Sequence, residues 1–265
     1  MHTTLLFFDQ LRLIDERSAA FRAAVSAAPS LDVQVPTCPE WTLLDLVLHL
    51  GEGRHTWAAT VAAGPGATAK AEPRDAPPAP APSERGALTD WLAGSTRELL
   101  DALSEAGPDR GCWTWWGASQ SPETTGTVAR HQLQQIAVHT YDAQLTAGAA
   151  QPLPSEVALD GFEDFLLTCI ATPSAWPHKP TAVEFHATEG LAWRLTLDGA
   201  GARSTRIPAS AATAAESHPD AAGLRLHGTA SDLLLFMYDR IPATSLRIDG
   251  DLLPLDQLRD WEPEE

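Results

Sequence analysis

The spacing of apolar residues changes near Pro152 and Pro154, and this change divides the chain into two parts. Before it, apolar residues recur every three or four positions, as they do on one face of a helix. After it, short segments alternate apolar and polar residues, as β-strands with one buried face do. The sequence therefore predicts two domains, residues 1–150 and 151–265, of class α followed by α+β.

Four segments of the first part have the helical pattern. The second is predicted to start at Thr37, because Glu40 follows three residues later and Pro39 lies in the first turn, the arrangement of a capping box. A Pro- and Ala-rich stretch at about 64–83 cannot bury enough surface to fold alone and is predicted to be a mobile surface loop. The result is a predicted four-helix bundle, in which facing side chains can converge on a metal or ligand. The predicted helices are about 4–28, 37–64, 84–103 and 125–147.

The second part combines helices and strands. A predicted β-hairpin is formed by residues 181–186 and 191–197, joined by a Thr-Glu-Gly turn. The other predicted elements are a helix at 155–171, a strand at 223–227, a helix from Thr229 to Arg240 and a strand at 245–251. They predict a smaller α+β domain.

The charge balance restricts the partners. With 35 Asp and Glu against 18 Lys and Arg, the formal net charge is -17. This argues against nucleic acid and against an anionic membrane surface, since both require a basic face. No window approaches a membrane span and no signal sequence is evident.

The cysteines suggest the compartment. Three widely spaced cysteines without a C-x-x-C pair indicate neither a disulfide framework nor a thiolate zinc site. We therefore expect a cytoplasmic protein. No heptad seam is present, so it is expected to be a monomer or a homodimer.

Polar side chains with metal-binding capacity lie on the fourth predicted helix. Gln135, His139 and Asp142 are spaced so that they project from one helix face within two turns. Two readings remain open at this point, a solvated polar face and a chemical centre of the bundle.

Four short motifs resemble, in their order and spacing, the mycothiol-dependent maleylpyruvate isomerase family. They are TCPEWT at 37–42, DL at 45–46, HLG at 49–51 and VHTYDA at 138–143. The stretch from Gly228 to Arg240, with Gly250-Asp251, resembles the smaller C-terminal domain of that family. The resemblance covers nearly the whole chain and implies a DinB-like four-helix N-terminal domain.

The resemblance also implies a metal site. In the family a divalent metal, typically zinc, is held by a histidine of the second helix and by a His-Glu-x-x-x-His pattern on the fourth. The matching positions are His49 and His139, but Gln135 stands where the family has glutamate. A neutral amide attracts a divalent ion less than a carboxylate does, so weaker metal binding is expected. A metal that still binds would keep more of its charge and would lower the pKa of a bound thiol or water further.

Two other residues could replace Gln135 as a metal ligand. Glu52 lies one turn after His49, although a glutamate there is more often solvated. His131 lies two turns before His139, roughly 12 Å along the helix axis. The two histidines are therefore not expected to share one ion.

Four further residues have candidate roles, and the resemblance implies those of Asp142 and Arg240. Asp142 matches an aspartate associated with thiol binding or catalysis, and its alternative role is to orient a histidine. Arg240 matches an arginine that meets a substrate carboxylate, and it is equally a charge favoured at a helix end. Arg130 could bind a cofactor carboxylate in the same way. Cys38, at a predicted helix N-terminus, is a conceivable nucleophile with a lowered thiol pKa or a structural residue.

These features lead to one main functional hypothesis and two alternatives. The chain is predicted to be a metal- and mycothiol-dependent enzyme that isomerises an unsaturated acid or transfers the thiol to a small electrophile. One alternative is a bundle that has lost its metal and binds a small molecule or a partner protein. The other is a cofactor-independent biosynthetic enzyme in which His49 and His139 act as acid and base.

Overall fold

The computed structural model describes residues 5–208 and 223–263. Residues 5–115 and 123–153 form an N-terminal unit, and residues 116–122, 154–208 and 223–263 belong to a C-terminal unit. The predicted class, a helical bundle followed by an α+β part, is confirmed. The predicted limits of the two domains stay a prediction. None of the described helices is long and apolar enough to cross a membrane.

Four long helices form the N-terminal unit. Helix α1 packs against α3 and α4, and α2 packs against α3 and α4. Leucines spaced along α3 illustrate why the bundle forms, since Leu88, Leu92, Leu99 and Leu103 recur at helical intervals and are fully buried. The helices are α1 (Phe7–Ala27), α2 (Leu43–Ala63), α3 (Arg85–Ala106) and α4 (Thr125–Thr146).

The predicted start of the second helix was wrong. Residues before α2 form a short antiparallel hairpin of β1 (Gln34–Val35) and β2 (Cys38–Thr42). The capping box lies five residues later than predicted: Asp45 N donates to Thr42 Oγ1, and the Asp45 carboxylate accepts from Thr42 N at 2.8 Å. The same Thr-x-x-acid pattern thus occurs twice, and the second copy caps the helix.

A buried arginine joins three helices of the bundle. Arg54 of α2 donates to Thr96 Oγ1 of α3 at 2.6 Å and to Ser18 Oγ of α1 at 2.8 Å. Each hydroxyl donates in turn to a main-chain carbonyl one turn earlier on its own helix. Burial lowers the pKa of Arg54 to about 9, so the side chain still carries a positive charge at neutral pH.

The Pro- and Ala-rich stretch has no helix or strand between Ala67 and Glu84, as predicted. Two hydrogen bonds attach it to the bundle: Trp91 Nε1 donates to Pro77 O at 2.9 Å, and Ala71 N donates to Thr60 Oγ1 at 3.0 Å. Its mobility stays a prediction.

Trp91 also packs against α2 at Gly51, where a Cβ atom would be 2.0 Å from the indole ring.

The described strands of the C-terminal unit form a five-stranded mixed sheet in the order β5-β4-β3-β6-β7. Only the β3–β6 pair is parallel among these neighbours. The strands are β3 (Thr181–Ala187), β4 (Ala192–Asp198), β5 (Gly201–Arg206), β6 (Leu224–Gly228) and β7 (Arg247–Gly250). The helices are α5 (Ser155–Asp164), which continues as a π-helix over Phe165–Ile170, α6 (Ala230–Met237) and α7 (Leu253–Arg259).

Several predictions for this unit need correction. The hairpin of β3 and β4 is confirmed, but β5 and α7 were not predicted. Helix α6 ends at Met237 instead of Arg240, because Asp239 adopts a left-handed conformation with a φ of 57°. Asp239 N bonds to Phe236 O and Arg240 N to Leu235 O, the Schellman pattern that ends a helix. Arg240 therefore follows the helix and is not part of it.

The two faces of the sheet differ in character. One face is apolar, with Phe185 and Trp193 fully buried against Phe162 of α5. On the other, the fully buried Glu184 accepts hydrogen bonds from Arg194 Nε at 3.1 Å and Arg225 Nε at 3.1 Å.

The segment 116–122 belongs to this unit through hydrogen bonds. Ser204 N donates to Gln120 Oε1 at 2.6 Å, and Gln120 Nε2 donates to Ser204 O at 3.3 Å. Ser121 and Thr168 share a hydroxyl hydrogen bond of 2.7 Å. The segment is thereby attached to β5 and to the π-helical end of α5.

Candidate functional site

His49 of α2 and His139 of α4 meet in the N-terminal unit. Their ring centroids are 5.3 Å apart and the ring planes are at 78°. His139 is buried, with 8% of its surface exposed, and His49 is half-buried. The two histidines that the resemblance paired are therefore neighbours in the fold.

Trp41 of β2 packs against both rings. Its ring centroid is 4.7 Å from that of His49 and 6.3 Å from that of His139. The indole thus lies against both imidazoles. Trp41 was not predicted as a site residue, although it belongs to the TCPEWT motif, because its contact depends on the unpredicted hairpin.

Asp142 lies one turn after His139 on α4 and is fully buried. Its Oδ2 accepts a hydrogen bond from Nδ1 of His139 at 3.0 Å. A carboxylate can only accept, so the proton of the neutral imidazole is assigned to Nδ1. The other nitrogen, Nε2, then has a lone pair for a cation or a proton.

Two residues of the hairpin also bond to Asp142. Thr37 Oγ1 donates to Oδ1 at 2.6 Å, and Cys38 Sγ donates weakly to Oδ2 at 3.9 Å. Both residues had been placed at a helix N-terminus, and this prediction was wrong. Cys38 lies in β2, so the helix dipole expected to lower its thiol pKa is absent there. Thr37 was missed as a site residue, since only the folded chain brings it to Asp142.

His49 is electrostatically suited to its neutral form. Burial, and in second place the charge of His139, lowers the pKa of His49 to about 4. His49 is therefore uncharged at neutral pH. Neutral imidazole is the form that binds a metal ion or accepts a proton.

Gln135 lies one turn before His139 and is half-buried. Its Oε1 accepts a hydrogen bond from Gln132 Nε2 at 3.4 Å. Glu52, considered as a replacement ligand, is exposed. In the part of the chain that the structure describes, no group of three or more His, Cys, Asp and Glu could hold a metal ion.

The donor set can still be compared with what a metal requires. Two imidazoles that bind one tetrahedral zinc ion at about 2.0–2.1 Å have ring centres about 5 Å apart. The 5.3 Å between His49 and His139 fits this value. The third ligand that the resemblance implies is the amide oxygen of Gln135, which accepts a hydrogen bond from Gln132 and brings no charge. The two histidines thus fit a divalent ion, with less attraction than a set that includes a carboxylate would provide.

The two arginines with predicted roles belong to different units. Arg130 is half-buried in the first part of α4, nine residues or roughly 14 Å of helix before His139. Arg240 belongs to the C-terminal unit, where its Nη1 donates to Tyr238 O at 2.7 Å. It borders a cavity of about 500 Å³ together with Asp239 and Arg259.

Comparisons with known proteins place this geometry in context. A family model described as the mycothiol maleylpyruvate isomerase N-terminal domain matches residues 11–144. A second model, described as the MDMPI C-terminal domain, matches residues 156–257. No curated protein matches the chain in sequence.

Solved structures include proteins of similar fold. One of them is the crystal structure of a histidine-to-alanine mutant of the mycothiol-dependent maleylpyruvate isomerase, with a TM-score of 0.54 and 9% sequence identity. The match covers 93% of this chain and 95% of that one. At this identity the likeness concerns the fold alone.

Proposed function

Since the chain belongs to the mycothiol maleylpyruvate isomerase family, we propose that it is an enzyme that adds mycothiol to a small electrophilic or unsaturated substrate. As an isomerase it would add the thiolate across the double bond of an unsaturated dioxo-acid, permit rotation about the resulting single bond, and eliminate the thiolate. As a transferase it would stop after addition or displacement. The observation that carries the proposal is the His139–Asp142 pair beside His49 in the bundle.

The histidine pair prepares the thiol. The nucleophile in such chemistry is the thiolate, so the thiol must lose a proton. Asp142 keeps a proton on Nδ1 of His139, which leaves the lone pair of Nε2 for a divalent ion or, without a metal, for the proton released by the thiol. Trp41 covers the pair and limits competing water. Asp142 is fully buried, so we assign it a positioning role through His139 instead of direct contact with the thiol.

His49, His139 and Gln135 would hold a divalent ion, with zinc as the proposed metal. Such an ion supplies positive charge that lowers the pKa of a nearby thiol. The fit of the two imidazole rings supports this assignment. Gln135 implies weak binding, because its oxygen is a neutral donor.

Substrate and cofactor contacts are assigned to the arginines. Arg240 would bind a substrate carboxylate through its planar guanidinium group, and Arg130 would bind an anionic or polar part of the cofactor. The proposed partners are thus a small acid and a low-molecular-weight thiol. The proposed compartment is the cytoplasm, where such thiols are reduced.

A metal-free version is the second candidate. The described residues offer no carboxylate or thiolate as a third ligand near the pair, while Asp142 orients His139 as a general base requires. In this version His139 alone accepts the thiol proton. The chemistry performed on the substrate would be the same.

A thiol-dependent turnover assay tests the proposal. Protein purified without chelator is supplied with mycothiol and a series of unsaturated dioxo-acids and alkylating electrophiles, and product formation is followed with and without the thiol. Turnover should require mycothiol and should be lost in His139→Ala. His178→Ala, at an exposed position of the C-terminal unit, is the matched control and should keep full activity.

Two results separate the candidates. Loss of turnover in chelator, with recovery on adding zinc, supports the metal-dependent version. Unchanged turnover in chelator supports the metal-free one. Turnover that does not depend on the thiol, or that survives in His139→Ala, contradicts both.

A further inference from the structure

We infer that Thr37 is a positioning residue for His139, acting through the carboxylate of Asp142. The inference rests on the proposed function, since it concerns the same histidine. Thr37 lies between β1 and β2, whereas Asp142 and His139 lie on α4. A residue far away in the sequence would thus set which nitrogen of His139 faces its ligand.

The contacts form a chain across two elements. Thr37 Oγ1 donates to Asp142 Oδ1 at 2.6 Å, and His139 Nδ1 donates to Oδ2 at 3.0 Å. The carboxylate is thus held from two elements, at Oδ1 by the hairpin and at Oδ2 by α4. Asp142 is fully buried, so water does not compete for either oxygen.

Two anchors are needed because the terminal torsion of an aspartate is soft. Rotation about it has broad minima, so one hydrogen bond at Oδ2 leaves the carboxylate plane free to turn. The bond from Thr37 at Oδ1 fixes that plane. Hydrogen bonds to a charged acceptor are short and strong, and the buried setting strengthens them further.

Cys38 cannot replace Thr37. Its sulfur is 3.9 Å from Oδ2, the oxygen already bonded to His139, and a thiol is a weak donor. It does not supply the bond to Oδ1 that is lost when the Thr37 hydroxyl is removed. Loss of that hydroxyl should therefore be felt at His139.

The hairpin makes Thr37 a rigid anchor. Val35 pairs with Cys38, so Thr37 lies in the turn that these two residues close. The same hairpin supplies Trp41, which packs on both histidine rings. One short element thus orients His139 through Asp142 and covers it at the same time.

The test compares three substitutions. Thr37→Val removes the hydroxyl at nearly constant volume, and Thr37→Ser restores it. Thr60→Val removes a buried hydroxyl of α2 that lies outside the site and serves as the control. If Thr37→Val does not fold, Thr37→Ala takes its place, with folding followed by circular dichroism.

The first readout does not depend on activity or on metal. Nitrogen NMR of the metal-free protein, above the titration range of histidine, reports which ring nitrogen of His139 bears the proton, with the signal assigned by its loss in His139→Ala. Wild type, Thr37→Ser and Thr60→Val should show the proton on Nδ1. Thr37→Val should show a mixture of the two tautomers.

The second readout is zinc affinity, measured by competition with a chromophoric chelator. Thr37→Val should bind zinc about 10-fold more weakly, the lower end of what loss of a supporting hydrogen bond costs a metal site, and Thr37→Ser should restore binding. A Thr37→Val protein with the wild-type tautomer overturns the inference, as does a serine that fails to rescue it. If wild type binds no zinc and turns over no thiol, the proposed function fails, and the tautomer of His139 still decides the role of Thr37.

Discussion

The imidazole rings of His49 and His139 lie 5.3 Å apart, although one residue belongs to α2 and the other to α4. Asp142 fixes the second ring, and Trp41 covers both. The bundle thereby brings two imidazole rings together, and that of His49 is uncharged at neutral pH.

Gln135→Glu should strengthen zinc binding. A carboxylate in place of the amide adds a negative charge next to the two imidazoles, and we expect affinity to rise about 10- to 100-fold, or ~1.4–2.8 kcal/mol. Equilibrium competition with a chelator measures the change. Gln144→Glu adds the same charge to a later turn of α4 and should leave affinity within twofold of wild type, on the order of 0.4 kcal/mol. Equal gains in both variants would mean that net charge alone is responsible.

Asp142→Asn should impair the site without changing its size. An amide can donate to Nδ1 of His139 and so favour the wrong tautomer, and thiol-dependent kcat/KM should fall about 10- to 100-fold. Steady-state kinetics measure the effect. Asp101→Asn, at an exposed position of α3, should be silent. A full rate in Asp142→Asn would remove Asp142 from the account.

Gly51→Ala should destabilise the bundle. The added Cβ would lie 2.0 Å from the Trp91 ring, and overpacking of this kind costs about 1–3 kcal/mol. Gly53→Ala, two residues later on the same helix, meets nothing within 4 Å and should be neutral or stabilising by up to ~1 kcal/mol. Urea unfolding of both variants gives the comparison. Similar changes in the stability of the two variants would show that the Trp91 contact does not govern the effect.

Glu184 should make the C-terminal unit sensitive to acid. Burial raises its pKa, but hydrogen bonds from Arg194, His186 and Arg225 lower it by more. The pKa of Glu184 therefore lies below the ordinary value. A lowered pKa in the folded state means that the stabilisation is complete above the ordinary glutamate pKa of about 4.3 and is lost as the pH falls through the folded-state pKa. The stabilisation of the folded C-terminal unit by ionised Glu184 is therefore lost in acid.

The measurement is the free energy of unfolding of wild type and Glu184→Gln from neutral pH to below pH ~4. The difference between them should be largest at neutral pH and should shrink on acidification. Glu156→Gln, an exposed change in the first turn of α5, should follow wild type throughout. A gap that stays constant with pH would contradict the assigned role of Glu184.

Much of the scaffold was predictable because long helices repeat their apolar residues regularly. Helices α1, α3 and α4 were placed within a few residues of their observed limits. The start of α2 was not, because two Thr-x-x-acid patterns compete and only the fold selects Thr42. Strand β5 was missed since its sequence, GARSTR, lacks apolar alternation.

The site was predictable only in part. His49, Gln135 and His139 were assigned by resemblance, and their roles stay predictions. Trp41 and Thr37 were missed as site residues, because both act through a two-strand hairpin too short to show a periodicity. Contacts between residues distant in sequence depend on tertiary structure, which a pattern of neighbouring residues does not contain.

Calorimetric titration of mycothiol into wild type, His139→Ala and His178→Ala tests most directly whether the His49–His139 site uses mycothiol. Wild type and His178→Ala should bind mycothiol saturably at one site. In His139→Ala the binding should be at least about 10-fold weaker, or ~1.4 kcal/mol less favourable. Absence of binding to wild type, or equal binding to wild type and His139→Ala, would contradict the proposed use of mycothiol.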